Sequence, residues 1–141
     1  GGPKLLEARR ALPVVSGTKA VRCPTGSARL TVGGNLKARF CIHAVGPHYT
    51  NSVAFAVNDE LLINTYRAAM ACAEEKQLGC IAFSLISASI FRGPQSLTRV
   101  LECAIEGIRS GVYEQLKEVY IIGFSPDELR ELNKVCDIAF R

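Results

Sequence analysis

Two runs of the sequence carry no charge, residues 80–86 (CIAFSLI) and residues 119–124 (VYIIGF), and each leads into a stretch with helical periodicity. A strand that stays apolar at successive positions hides both faces, which happens in parallel sheets flanked by helices. After the first run, Leu97, Val100, Leu101, Ala104, Ile105 and Ile108 recur at spacings of three and four, predicting a helix over residues 95–110. After the second, Ser125-Pro126-Asp127-Glu128 has the form of a helix start. Ser125 is the N-cap, Pro126 takes the first helical position, and Glu128 closes a capping box. Leu129, Leu132, Cys136 and Ala139 then face the core.

The alternation extends upstream. Residues 58–77 form a helix with the stripe Leu61, Leu62, Thr65, Tyr66, Ala69 and Ala73. Asn58 or Asp59 caps it and Gly79 stops it. Residues 39–45 read as a strand. Residues 26–32 alternate as a half-buried strand does, and Gly33-Gly34-Asn35 turns it back to an antiparallel neighbour. Residues 5–12 make a short helix that Pro13 ends. From residue 39 onward the order is β-α-β-α-β-α. The fold class is therefore α/β: a three-layer α/β/α sandwich with a mixed, mostly parallel sheet and right-handed crossovers. Ligands of such sheets bind at the carboxyl ends of the strands, here the loop of residues 87–94 and the Phe124–Ser125 corner.

A length of 141 residues fits one domain with an adequate core. Apolar residues at 48% and charged residues at 21% exclude a disordered chain. No apolar run reaches the roughly 20 residues of a membrane helix, so no membrane partner is expected. Seventeen Lys and Arg against thirteen Asp and Glu leave +4. That suits an anionic ligand, whereas a dedicated nucleic-acid binder shows a larger, clustered excess. The six cysteines are irregularly spaced, lack a C-x-x-C pair and fall partly in apolar stretches. They read as reduced thiols in an intracellular, cytoplasmic or nuclear protein, with no metal site.

Three segments together resemble the macro domain, the module that binds ADP-ribose. Cys23-Pro24-Thr25-Gly26-Ser27-Ala28, followed by Leu36-x-Ala38-Arg39-Phe40-x-Ile42-His43-Ala44-Val45-Gly46-Pro47, resembles the family hairpin T-G-x-A … L-P-A-x-x-x-I-H-x-V-G-P. Ile81-Ala82-Phe83-x-x-Ile86-Ser87-Ala88-Ser89-Ile90-Phe91-x-x-Pro94 resembles I-A-F-P-x-I-S-x-G-I-F-G-x-P, the strand and phosphate loop. Residues 119–124 are similar to the last strand, where an aromatic lies against the adenine. The resemblance implies ADP-ribose as ligand and no further cofactor. Backbone N–H groups of Ser87, Ala88, Ser89, Ile90 and Phe91 would hold the diphosphate, with Arg92 beside them and Phe124 and Ser125 on the adenine side.

Two departures bear on this. Ser89 and Arg92 stand where the family has glycine, which lets backbone approach phosphate and adopt positive φ. The family's first third, with two strands, the N-A-A-N motif and a Gly-rich first loop, matches no position here. The sequence opens on Gly1-Gly2-Pro3-Lys4, and Gly2-Pro3-x-Leu5 resembles the segment after that loop. The expectation is one macro-like domain over residues 1–141, lacking its N-terminal portion and drawn from a longer protein. Three functions remain open. One is binding ADP-ribose or ADP-ribosylated protein. Another is ADP-ribosyl hydrolysis or ADP-ribose-1''-phosphate processing, which needs the absent segment, so no catalytic residue is assigned. A third is a degenerate domain that binds protein or RNA. His43 and Cys41 share a strand face without a visible acidic partner, so His43 reads as structural. His48 and Tyr49 read as loop surface, and Arg9, Arg10, Lys37 and Arg39 as solvated charge.

Overall fold

The computed structural model describes residues 1–50 and 54–141. In chain order the elements are α1 (Gly2–Ala11), β1 (Ser27–Val32), β2 (Phe40–Val45), α2 (Phe55–Glu75), β3 (Cys80–Ser84), α3 (Leu97–Ser110), β4 (Glu118–Ile122) and α4 (Pro126–Ala139). A single 3-10 turn, Ile90–Arg92, lies between β3 and α3. The class is α/β, as expected.

Strands β1 and β2 form an antiparallel hairpin, registered from Ser27 opposite Val45 to Val32 opposite Phe40. Strands β3 and β4 pair in parallel, Cys80 beside Glu118 and Ser84 beside Ile122. Among the described residues these are two separate two-stranded sheets. The expected single mixed sheet is thus split between β2 and β3. A groove of about 350 Å³ lies there, lined by Phe40, Ile42 and Ala44 on one side and Ile81 and Phe83 on the other.

Helix α2 is one of the two main contributors to the core, with α3, because its buried side chains recur at helical spacing: Leu62, Tyr66, Ala69, Met70 and Ala73 are fully buried. Ala28, Ile42 and Ala44 pack on it from the hairpin, and Ile81 and Phe83 from β3. Helix α1 packs against β1. The hairpin's other face points that way, since His43 feels the charge of Arg9. Helix, hairpin and helix make three layers at this end. A second cluster, Leu101, Ile105, Leu132 and Val135, joins α3 to α4.

Three local expectations are corrected. Helix α2 begins at Phe55 with Ala54 as its N-cap, and no side chain caps it. Asn58 and Asp59 therefore lie inside the helix and are buried. The residue with left-handed backbone after α2 is Gln77 (φ 49°), not Gly79. Strands β3 and β4 are not buried on both faces. Ile81 and Phe83 point at α2 and α3, whereas Cys80, Ala82 and Ser84 are exposed, as are Glu118, Tyr120 and Ile122. Unbroken apolarity reports two covered faces, and here α2, α3 and α4 cover only one.

Candidate functional site

The carboxyl ends of β3 and β4 lie side by side because the two strands are parallel and in register at Ser84 and Ile122. The chain leaves β3 through Leu85 and Ile86, and the Ile86 N–H donates to the Tyr66 hydroxyl at 2.9 Å. At Ser87 the backbone turns into the left-handed region, φ 55°. A non-glycine residue there is strained by about 1 kcal/mol or more, and such strain persists only where the surroundings enforce it. The enforcing contact is visible: the Ser87 hydroxyl donates to the Pro47 carbonyl at 2.6 Å.

Past that turn, the amides of Ser87, Ala88, Ser89, Ile90 and Phe91 donate to no acceptor among the described residues. They border an open cleft of about 300 Å³ lined by Leu85 and residues 87–91. Such a run of free N–H groups beside a concavity is an anion-binding geometry. Ser89 has φ −108°, so its side chain causes no left-handed strain. The glycine that this loop needs sits at Gly93 (φ 52°), where an added Cβ would overlap the Tyr49 carbonyl oxygen. Arg92 does not aim its charge outward: its Nε donates to the Ala88 carbonyl at 3.2 Å and its Nη1 to the Gln95 carbonyl at 2.7 Å. The guanidinium braces the loop's own backbone. Ile90 and Phe91 are largely exposed, and the Phe91 ring lies 5.1 Å from His48.

On the β4 side, Phe124 is 99% exposed, so it has no role in the core. Its backbone is nonetheless fixed. The Glu128 carboxylate accepts from the Phe124 N–H at 2.6 Å and the Ser125 N–H at 3.0 Å, and the Ser125 hydroxyl accepts from the Glu128 N–H at 3.2 Å. The capping box expected from the sequence thus holds an exposed aromatic ring beside the cleft-bearing end of β3.

Tyr49, expected at the surface, is 1% exposed. Its hydroxyl donates to Asp59 Oδ1 at 2.8 Å, and Arg99 Nε donates to Asp59 Oδ2 at 2.8 Å. Burial and the carboxylate push the phenol well above its ordinary value, and hydrogen bonding to Asp59 pushes the Arg99 guanidinium up. Cys103 beside them is pushed up to about 12, chiefly by burial. Sequence reasoning missed this cluster. A carboxylate in a helix stretch with mainly apolar neighbours was the available signal.

His43 Nε2 lies 2.8 Å from the Thr31 hydroxyl, and burial with the charge of Arg9 holds the imidazole below its ordinary value. Burial raises the thiol of Cys41. A neutral histidine beside a protonated thiol has the character of a packed strand pair, not of a nucleophile and base. All six cysteines are unpaired. Among the described residues no cluster of His, Cys, Asp and Glu could hold a metal ion, and no helix is long and apolar enough to cross a membrane.

The family model described as Macro domain matches residues 1–101. The chain belongs to the macro domain family. A macro domain-containing protein of Xanthomonas campestris is 44% identical over 93 residues, 66% of this chain and 50% of that protein. A protein of Escherichia fergusonii named O-acetyl-ADP-ribose deacetylase is 29% identical over 136 residues, 95% of this chain and 72% of that one. Among solved structures, the Oceanobacillus iheyensis macrodomain with ADP superposes with a TM-score of 0.70 at 26% identity, covering 84% of this chain and 60% of that one. This macro domain chain therefore spans about half the length of its Xanthomonas relative.

Proposed function

We propose that this chain is an ADP-ribose-binding module. The observation that carries the reading is the row of five backbone N–H groups, Ser87 to Phe91, that have no acceptor among the described residues and border a cleft at the carboxyl end of β3. Diphosphate is the ligand chemistry such a row suits, because several fixed dipoles share its charge. Phe124, exposed and pinned by its backbone beside that end, borders the adenine, whose flat π-face suits an aromatic neighbour. Ser125 contributes through position alone, since its hydroxyl caps α4. The ADP bound to the Oceanobacillus macrodomain supports the ligand class. ADP-ribosylated protein is the natural larger ligand. The six unpaired thiols fit a reducing compartment, cytoplasmic or nuclear. We infer, too, that residues 1–141 act as one macro-like unit whose two sheets leave room for a further strand in the β2–β3 groove.

Calorimetry with ADP-ribose tests the module. A saturable isotherm is expected, abolished by Ser89→Glu, which places a carboxylate at the exposed, cleft-lining position among the amides. No heat up to about 1 mM ligand, the limit of a meaningful small-ligand affinity, overturns the reading. The deacetylase name of one relative favours a second reading, hydrolysis of an ADP-ribosyl ester. Release of acetate from O-acetyl-ADP-ribose by this chain would establish it. Absence of release leaves binding as the function.

A further inference from the structure

We propose that Asp59 is the positioning residue of the 87–93 loop, acting on ligand affinity through a buried relay of hydrogen bonds; this rests on the ADP-ribose reading of that loop. The carboxylate sits in the second turn of α2, 8% exposed, and receives three side chains. They are the Tyr49 hydroxyl at 2.8 Å, Gln95 Nε2 at 3.2 Å and Arg99 Nε at 2.8 Å. Each of the first two leads directly to the loop. The Tyr49 N–H donates to the Phe91 carbonyl at 2.8 Å, and the Tyr49 carbonyl abuts Gly93. The Gln95 carbonyl accepts from Arg92, whose other end reaches the Ala88 carbonyl. Gln95 Oε1 also accepts from the Ser96 N–H at 2.9 Å, setting the first turn of α3. One buried carboxylate therefore fixes the loop at Phe91, Gly93 and, through Arg92, at Ala88.

The physical reason for a charge at this place is geometric. Backbone donors bind an anion well only if they are already aimed at it, since an amide displaced by an ångström loses most of its effect. The 87–93 loop has few means of holding itself: beyond the 3-10 turn, its amides have no acceptor among the described residues. A carboxylate accepts several hydrogen bonds at once, each stronger than a bond between neutral groups. Buried between two helices, it converts their rigidity into a fixed loop. Arg99 sets the opposite charge 2.8 Å from Asp59 Oδ2, so the buried carboxylate is paired.

The test compares Tyr49→Phe and Asp59→Asn with Val135→Ala, a control in the α3–α4 cluster at a residue that lines neither the loop nor its cleft. Two readouts are taken on the 141-residue chain: affinity for ADP-ribose, and hydrogen exchange of the Arg92 and Gly93 amides. Tyr49→Phe deletes one oxygen and leaves Asp59 with Gln95 and Arg99, so the fold is retained even if Asp59→Asn does not fold. The expected result is an affinity loss of about ten-fold or more, with faster exchange at Arg92 and Gly93 and unchanged exchange in the β1–β2 hairpin. Val135→Ala lowers the unfolding midpoint but moves neither readout. Wild-type affinity in Tyr49→Phe overturns the proposal. If the wild-type chain itself does not bind ADP-ribose, the functional reading fails by itself. Exchange then decides the positioning role: acceleration in Tyr49→Phe sustains it, and unchanged loop exchange overturns it.

Discussion

Gly93 is the residue of the site loop where backbone geometry admits one amino acid. Its φ of 52° and the Tyr49 carbonyl against its Cα leave no room for a side chain. Gly93→Ala is expected to destabilise the chain by at least about 1 kcal/mol, read as a lower urea midpoint, and to weaken ADP-ribose binding with it. The sequence showed a glycine missing at residue 92. Only the structure showed that residue 93 carries the positive φ and that Ser89 needs none. His43 makes a second prediction. Its folded-state value is lowered by burial and by Arg9, so the unfolded chain binds more protons below about pH 6.5. Stability is full above that value and falls as pH falls toward the lower folded value. The urea midpoint should therefore drop between pH 7.5 and 5.5, and His43→Gln should narrow the drop. An equal drop in the variant removes this role for His43.

At the scale of elements, local chemistry and tertiary packing divided the outcome. The start of α4 is written entirely in four consecutive residues, and the capping box formed as the sequence implied. Ser125→Ala should cost about 1 kcal/mol, measured by urea unfolding, and Ser125→Asp should restore it. Failure of Ser125→Ala to change the midpoint would mean that α4 is held by Leu132 and Val135 alone. The start of α2 was not legible in the same way. Asn58 and Asp59 are good capping residues, but the helix runs three residues further toward its N-terminus. Asp59 is instead drawn inward by Tyr49, Gln95 and Arg99, which are distant in sequence. A capping motif reports only on its own neighbours, so it could not distinguish these outcomes. Tyr49 was misread for the same reason. A tyrosine after Gly46-Pro47-His48 has the look of loop surface until a carboxylate from another element receives it.

For the whole molecule, the break between β2 and β3 is the dominant feature. Each sheet ends in an edge whose backbone groups have no partner among the described residues, and the edges face one groove. Amides along Cys80–Ser84 should therefore exchange alternately, slow where they donate to β4 and fast where they face the groove. Uniform protection along β3 would show the groove closed in solution. Helix and strand periodicity, the apolar runs and the motif strings determined the class, the element order and the carboxyl-end location of the candidate site. They succeeded because each is a property of residues close together in the chain. Only the tertiary structure decided which strands pair, which face of β3 and β4 is covered, and which carboxylate holds the loop. Those depend on groups brought together from β2, α2 and α3, and no local pattern encodes a contact whose partners lie 40 residues apart.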